Sequence, residues 1–263
     1  MTRVGIIGIG WLGTYLAEQL SDDCQIWGTN RHKEKLPGSL LDKIEWFPYE
    51  LGGKLESLPF ADTDYLIFTI PPSRIADYGS QCIALFQAIR KANPKLTIVY
   101  ISSTSLYGDQ VGELNENSST APTSANAQKM EAVENFLQEN EAYILRCGGL
   151  IGEGRHPVYA LSGRTQIAKP NAAVNLIHQE EINGFVRFII AQQPTPAIYN
   201  VVCPMHPDRK EYYQEVAREL GIKVPDFDED DPRKGKIVIP MRMQETGYEF
   251  MFRSPFDMPL IRK

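Results

Sequence analysis

The chain has 263 residues, 43% of them hydrophobic and 23% charged, with 27 Lys+Arg against 33 Asp+Glu and a formal net charge of −6. At roughly 150 residues per domain this is one large domain or two unequal ones, with enough chain to bury a real core, and the disordered and fibrous classes are excluded. The acidic balance argues against nucleic acid or an anionic membrane as a partner, because both reward a basic face.

The longest uncharged apolar stretch runs from Val4 to Ala17 and is broken by four glycines. A membrane span needs ~20 predominantly apolar residues, and no small-x-small cleavage site follows, so neither a span nor a signal peptide is expected. Cys24, Cys82, Cys147 and Cys203 lie far apart, with no Cys-x-x-Cys pair and no metal-ligand spacing. Buried free thiols in a reducing cytoplasm, without a metal, are the expectation.

Short apolar runs alternate with amphipathic ones. Arg3–Ile9 is a β-branched run ending in glycines, and Trp11–Leu20 follows with Leu12, Tyr15, Leu16 and Leu20 on one helical face. Gln25–Thr29 and the weaker Lys43–Pro48 read as strands. Tyr65–Ile70 is a continuous apolar run stopped by Pro71-Pro72, since proline cannot donate to a ladder. Cys82, Leu85, Phe86 and Ile89 mark a helix, Leu96–Ser102 an uncharged strand, Lys129–Gln138 a helix and Ala142–Arg146 another strand. The polar stretch Asn115–Gln128 leads into the Lys129 helix, with Ser124 placed to cap it. Fully apolar strands joined by helices imply an α/β fold whose parallel sheet is covered on both faces. After Arg146 the pattern loosens. A helix returns at Glu180–Gln192, a strand at Ile198–Val202 and a helix at Lys210–Leu220 closed by Gly221. The tail from Val224 reads as irregular, with an acidic run at Asp226–Asp231 taken as a solvated loop.

Gly8-Ile9-Gly10-Trp11-Leu12-Gly13 is G-x-G-x-x-G between a strand and a helix. The first glycine permits a tight turn, the second lets backbone approach a pyrophosphate, and the third lets the helix pack on the sheet. Gly8, Gly10, Trp11, Leu12 and Gly13 are therefore the expected dinucleotide cradle of a Rossmann-type, doubly wound sheet. An NAD site usually carries a carboxylate at the end of the second strand. Here that end reads Gly28-Thr29-Asn30-Arg31-His32-Lys33. Thr29, Asn30 and Arg31 are expected to meet the cofactor, with Arg31 on a 2′-phosphate, so NADP(H) is preferred and NAD(H) stays open.

The run Ser102-Ser103-Thr104-Ser105-Leu106-Tyr107-Gly108 resembles the S-S-x-x-[VL]-Y-G strand end of the extended short-chain dehydrogenase/reductases, the NAD(P)-dependent epimerases and dehydratases. Leu145-Arg146-Cys147-Gly148-Gly149-Leu150-Ile151-Gly152-Glu153-Gly154-Arg155 is similar to their L-R-x-x-x-[IV]-[YF]-G-P-G-R, Asn175–Ile182 to their [NR]-x-I-H-V-D-D, and Tyr199-Asn200-Val201 to their Y-N-[VI]. The nearest likeness is to an atypical, YeeZ-like subgroup. The resemblance implies a substrate-binding hydroxyl at Ser103 and a ribose-binding lysine at Lys129. It also implies cofactor contacts at Ile70, Pro71, Ser102, Gly148 and Gly149, and substrate contacts at Tyr107, Arg155 and His156. Tyr107 is better read as a packing residue with a satisfied hydroxyl, and a lone histidine is more often structural than catalytic.

The family's tyrosine, four residues before the lysine, is Ala125 here. Positions i and i+4 share a helix face, so no neighbour can stand in for it. Two functions follow: an oxidoreductase or epimerase on a nucleotide-sugar or related small carbonyl or alcohol substrate with a non-standard acid, or a non-catalytic NADP(H)-binding sensor or regulator. Residues 1–150, with returning segments near 170–202, are expected to form the dinucleotide domain, and 151–169 with 203–263 a small substrate-side α/β cap. Family members often pair through two main-domain helices, here around Tyr78–Lys91 and Lys129–Gln138, which implies a homodimer.

Overall fold

The computed structural model describes residues 1–260 and 262. In chain order the elements are β1 (Arg3–Ile7), α1 (Trp11–Leu20), β2 (Gln25–Asn30), α2 (Gly38–Leu41), β3 (Ile44–Pro48), β4 (Tyr65–Phe68), α3 (Tyr78–Ala92), β5 (Thr97–Ser103), β6 (Gly112–Leu114), α4 (Ala125–Gln138), β7 (Tyr143–Cys147), β8 (Gly149–Ile151), α5 (Val158–Leu161), β9 (Leu176–His178), α6 (Gln179–Gln192), β10 (Ile198–Val201), α7 (Arg209–Glu219), β11 (Lys236–Val238) and α8 (Met241–Glu245). Seven strands form one sheet in the order β10-β7-β5-β4-β1-β2-β3. The pairs β1–β2, β1–β4, β2–β3 and β4–β5 are parallel. From β1 the chain winds out one way through β2 and β3 and the other way through β4 and β5. The order therefore reverses beside β1, where ligands of doubly wound sheets bind at the carboxyl ends of the strands.

The chain folds as two units. The first comprises residues 1–102, 124–145 and 186–198, the second residues 103–123, 146–185 and 199–263. In the first unit every residue of β4 is buried, as a strand covered on both faces requires. Phe68 there meets Tyr78, Phe86 and Tyr100 at ring-centroid distances of 6.4, 5.3 and 5.9 Å. Ser124 caps α4 by accepting the Ala127 N–H at 3.2 Å, as its place before the helix predicts. The second unit builds its own core from Ile151, Val158, Val174, Leu176, Tyr212, Val216 and Phe227 among others.

The longer elements match the periodicity to within a few residues, while β6, β8, β9 and β11 have no counterpart in it. Each is three residues long, too short for a period to register. β6 and β11 pair in parallel as Gly112↔Lys236, a match across the chain that no local pattern encodes. The tail from Val224 is correspondingly more ordered than its composition suggests. It carries β11, α8 and a 3-10 turn at Pro255–Asp257 closed by a capping box from Ser254. Asp231, at the end of the acidic run, is buried. It accepts from the Arg233 guanidinium at 2.6 and 2.8 Å and from the Lys169 N–H at 2.8 Å, and this pairing holds its carboxyl far below the usual range. All four cysteines are buried and free. No helix among the described residues is long and apolar enough to cross a membrane.

Candidate functional site

The turn after β1 is built by its glycines in unequal ways. Gly8 has φ +102°, and a Cβ there would lie 2.7 Å from Ile70 Cγ1 and 3.0 Å from Ile70 N. A Cβ on Gly13 would lie 2.4 Å from the Gly8 carbonyl oxygen, so α1 reaches the turn only because position 13 is bare. Gly10 differs from both. It is exposed, its backbone is extended (φ −107°, ψ −151°), and the nearest atom to a Cβ there is the Gly8 oxygen at 4.0 Å. The fold needs glycine at 8 and 13 and has no need of it at 10. The next helix, α1, opens without a side-chain cap and without an acidic residue in its first turn. The N–H groups of a helix's first turn and its positive dipole end suit an anion. A bare Gly10 beside that end leaves the space a pyrophosphate would take.

Thr29 and Asn30 face this loop. The Gly8 N–H donates to Thr29 Oγ1 at 3.2 Å and the Ile9 N–H to the Thr29 carbonyl at 2.7 Å. Asn30 Nδ2 donates to the Ile9 carbonyl, and Asn30 Oδ1 accepts the His32 N–H at 2.8 Å. Both side chains set the shape of the loop from inside the first unit. Arg31 is exposed, and its guanidinium meets Glu50 Oε1 at 3.2 Å. Glu50 brings a carboxylate beside the end of β2. Parallel pairing of Asn30 with Pro48, and the Tyr49 N–H donating to the Asn30 carbonyl at 3.3 Å, bring it there from beyond β3. Lys33 Nζ lies 5.5 Å from the Trp46 ring centroid.

Beyond β4, Ile70 is half-buried and Pro71 exposed. Lys129, in α4, donates from Nζ to the Ile75 carbonyl at 2.7 Å. Ala125 is the first residue of α4, four residues before Lys129, and is exposed. Ser102, at the end of β5, donates to Glu134 Oε1, with both residues buried. Glu134 escaped the sequence reading although it sits four residues after Met130 on the inward stripe of α4. A carboxylate in that stripe was the available signal.

In the second unit Ser103 starts the turn after β5, its Oγ accepting the Ser105 N–H at 3.1 Å. Tyr107 is fully buried. Its oxygen lies 2.9 Å from the Asn115 carbonyl, 2.9 Å from Asn200 Oδ1 and 3.1 Å from Arg146 Nη1, and the Arg146 guanidinium lies over its ring. Glu116 Oε1 accepts the Asn200 N–H at 2.9 Å and completes this network. The Gly148 N–H donates to the Val201 carbonyl at 2.9 Å and the Gly149 N–H to the Asn175 carbonyl at 2.8 Å. Arg155 shares a two-bond turn with Gly152. His156 is buried, with Nδ1 accepting the Val158 N–H at 3.1 Å and Nε2 3.0 Å from the Tyr212 hydroxyl. Burial pushes the imidazoles of His156 and His178 down to about 4. Tyr107 and His156 thus spend their polar atoms on the unit's own interior. Among the described residues no cluster of His, Cys, Asp or Glu is placed to hold a metal.

A doubly wound seven-stranded sheet with a G-x-G-x-x-G turn after β1 defines a Rossmann-type α/β protein. Within that class the chain belongs to the YeeZ family. It is 30% identical to Protein YeeZ of Escherichia coli (strain K12) over 274 residues, covering 99% of this chain and 100% of that protein. No family model matches it. Among solved structures it is similar to a conserved protein of unknown function from Silicibacter pomeroyi DSS, with a TM-score of 0.79, 23% identity and coverage of 97% of this chain and 95% of that one. It is also similar to UDP-glucuronic acid 4-epimerase from Bacillus cereus, solved in complex with NAD, with a TM-score of 0.75, 14% identity and coverage of 92% and 90%. At these identities the structural likeness is one of fold.

Proposed function

We propose that the chain binds NADP(H) through the first unit and acts as an oxidoreductase or epimerase on a nucleotide-sugar or a related small carbonyl or alcohol. Gly10 carries the reading. Its glycine is unexplained by the chain's own packing and is explained by a ligand that must come close to the backbone there. The first-turn N–H groups of α1 would receive the pyrophosphate and Arg31 a 2′-phosphate, releasing its exposed pairing with Glu50, a contact worth only ~0–1 kcal/mol. When bound, the nicotinamide supplies hydride transfer. Ser103 would hydrogen-bond the reacting oxygen, Arg155 would meet the substrate, and Lys129 would exchange the Ile75 carbonyl for a ribose hydroxyl. The likeness to a UDP-glucuronic acid 4-epimerase supports a nucleotide-sugar. A cytoplasmic homodimer belongs to the same reading.

Two observations favour other forms of it. Ala125 leaves no phenol for proton transfer, which favours a non-catalytic NADP(H)-binding sensor. Glu50, beside Arg31, favours NAD(H), since a carboxylate accepts from a ribose 2′-OH.

Titration of Gly10→Ala and wild type with NADPH and NADH tests the proposal. A Cβ at position 10 touches nothing in the fold, so the variant should melt with wild type yet lose at least tenfold in dinucleotide affinity. Gly13→Ala should lose both, because its Cβ strikes the Gly8 oxygen. Equal binding by Gly10→Ala and wild type would refute the cradle. Turnover of NADPH over a panel of simple carbonyls, and epimer formation from nucleotide-sugars with no net change in the dinucleotide, separate enzyme from sensor.

A further inference from the structure

Ile70 forms one wall of the glycine turn. Gly8 is bare where it faces Ile70 Cγ1 and the Ile70 N–H, and Thr69 Oγ1 donates to the Gly8 carbonyl. The position of the turn therefore depends on the position of the chain at Ile70. Ile70 lies beyond the last residue of β4 and before two prolines, so the ladder with β1 no longer holds it. A different bond takes over. Tyr78, the first residue of α3 and 1% exposed, donates its hydroxyl to the Ile70 carbonyl at 2.9 Å. With that proton spent, the Tyr78 oxygen accepts from the hydroxyl of Tyr100 in β5, 3.0 Å away and fully buried. Burial holds both phenols well above their ordinary range, so both keep the protons this chain of bonds requires. Phe68, Phe86 and the two tyrosine rings pack edge-on or tilted around the pair and fix the rings.

We infer that Tyr78 is a positioning residue for dinucleotide binding: through the Ile70 carbonyl it sets the wall against which the Gly8 turn is formed. The inference rests on the dinucleotide reading above. It distinguishes two hydroxyls that a purely structural role would treat alike. Tyr78→Phe and Tyr100→Phe each delete one oxygen from the same buried pair. Only Tyr78→Phe frees the Ile70 carbonyl; Tyr100→Phe leaves the Tyr78–Ile70 bond in place.

The test measures NADPH affinity by calorimetry, and melting temperature without ligand, for wild type and both variants. Both variants should melt below wild type. Tyr78→Phe alone should weaken NADPH binding, by about three- to tenfold, the equivalent of one hydrogen bond. Tyr100→Phe should bind as wild type does. Unchanged affinity in Tyr78→Phe, or equal losses in the two variants, overturns the inference while leaving the dinucleotide reading intact. A wild type that binds neither NADPH nor NADH overturns both. Should Tyr78→Phe not fold, Tyr100→Phe still decides: wild-type NADPH binding with a lowered melting temperature supports the inference, since the Tyr78–Ile70 bond then suffices, and weakened binding overturns it.

Discussion

Glu181 should be among the most costly single positions in the second unit. It lies in the first turn of α6 and is fully buried. Its Oε1 accepts the Tyr248 hydroxyl at 2.6 Å and the Met251 N–H at 3.2 Å, and its Oε2 accepts the Phe252 N–H at 2.9 Å. Burial, with the Glu181 carboxylate alongside, keeps the Tyr248 phenol protonated, so that donor is always present. One side chain therefore satisfies three donors of the 248–252 segment. Glutamine has the same shape, but its amide can offer an acceptor on one side only. With its oxygen toward Tyr248 and Met251, its NH2 points at the Phe252 N–H, and a buried donor faces a donor. Hydrogen bonds to a charged group contribute about 1.5–3 kcal/mol, and a stranded buried donor costs about 1–3 kcal/mol. Glu181→Gln should thus destabilise by about 3 kcal/mol, lowering the melting temperature by roughly 6–12 °C for a chain of this size. Tyr248→Phe removes one donor, keeps two, and should cost about half as much. Urea unfolding followed by circular dichroism reads both as midpoint shifts at unchanged slope. A Glu181→Gln midpoint within about 0.5 kcal/mol of wild type would show that the segment is held by its aromatic contacts instead and would refute the clamp.

Acid should loosen the second unit through its histidines. His156 and His178 stay neutral in the folded state down to about pH 4, whereas the unfolded chain protonates them near 6.5. Between those values the unfolded state binds more protons, so stability is complete above pH 6.5 and falls as pH drops toward 4, by on the order of 3 kcal/mol per imidazole. His178→Leu should flatten the urea-midpoint-versus-pH curve over that window, and an unchanged slope would contradict the assignment. The Arg31–Glu50 pair decides between the two dinucleotides. If Arg31 meets a 2′-phosphate, Glu50→Gln removes a nearby like charge and tightens NADPH about fivefold, the size of ~1 kcal/mol of screened repulsion. A tenfold loss of NADH binding with NADPH unchanged would instead place Glu50 on the ribose of NAD.

Much of the first unit was readable from local pattern. A β-branched run, G-x-G-x-x-G and an amphipathic decamer identify β1, the turn and α1, because each depends on residues within one turn of helix or one strand. Ser124 as the cap of α4 and the proline stop after β4 are of the same kind. What pattern could not supply was who meets whom across the chain. Glu50 stands beside Arg31 only because β3 pairs in parallel with β2. Glu134 reaches Ser102, and Tyr78 reaches Ile70, through the packing of helices on the sheet.

The sequence by itself determined the fold class, the glycine turn and the alanine at position 125, since these are matters of periodicity and residue identity. Only the tertiary structure decided how each residue's polar atoms are spent. It separated Gly10, which the fold does not need, from Gly8 and Gly13, which it does. It showed which partners hold the polar atoms of Tyr107 and His156. The physical reason is the same in each case. A hydrogen bond or a close approach is a property of two positions, and periodicity describes only one.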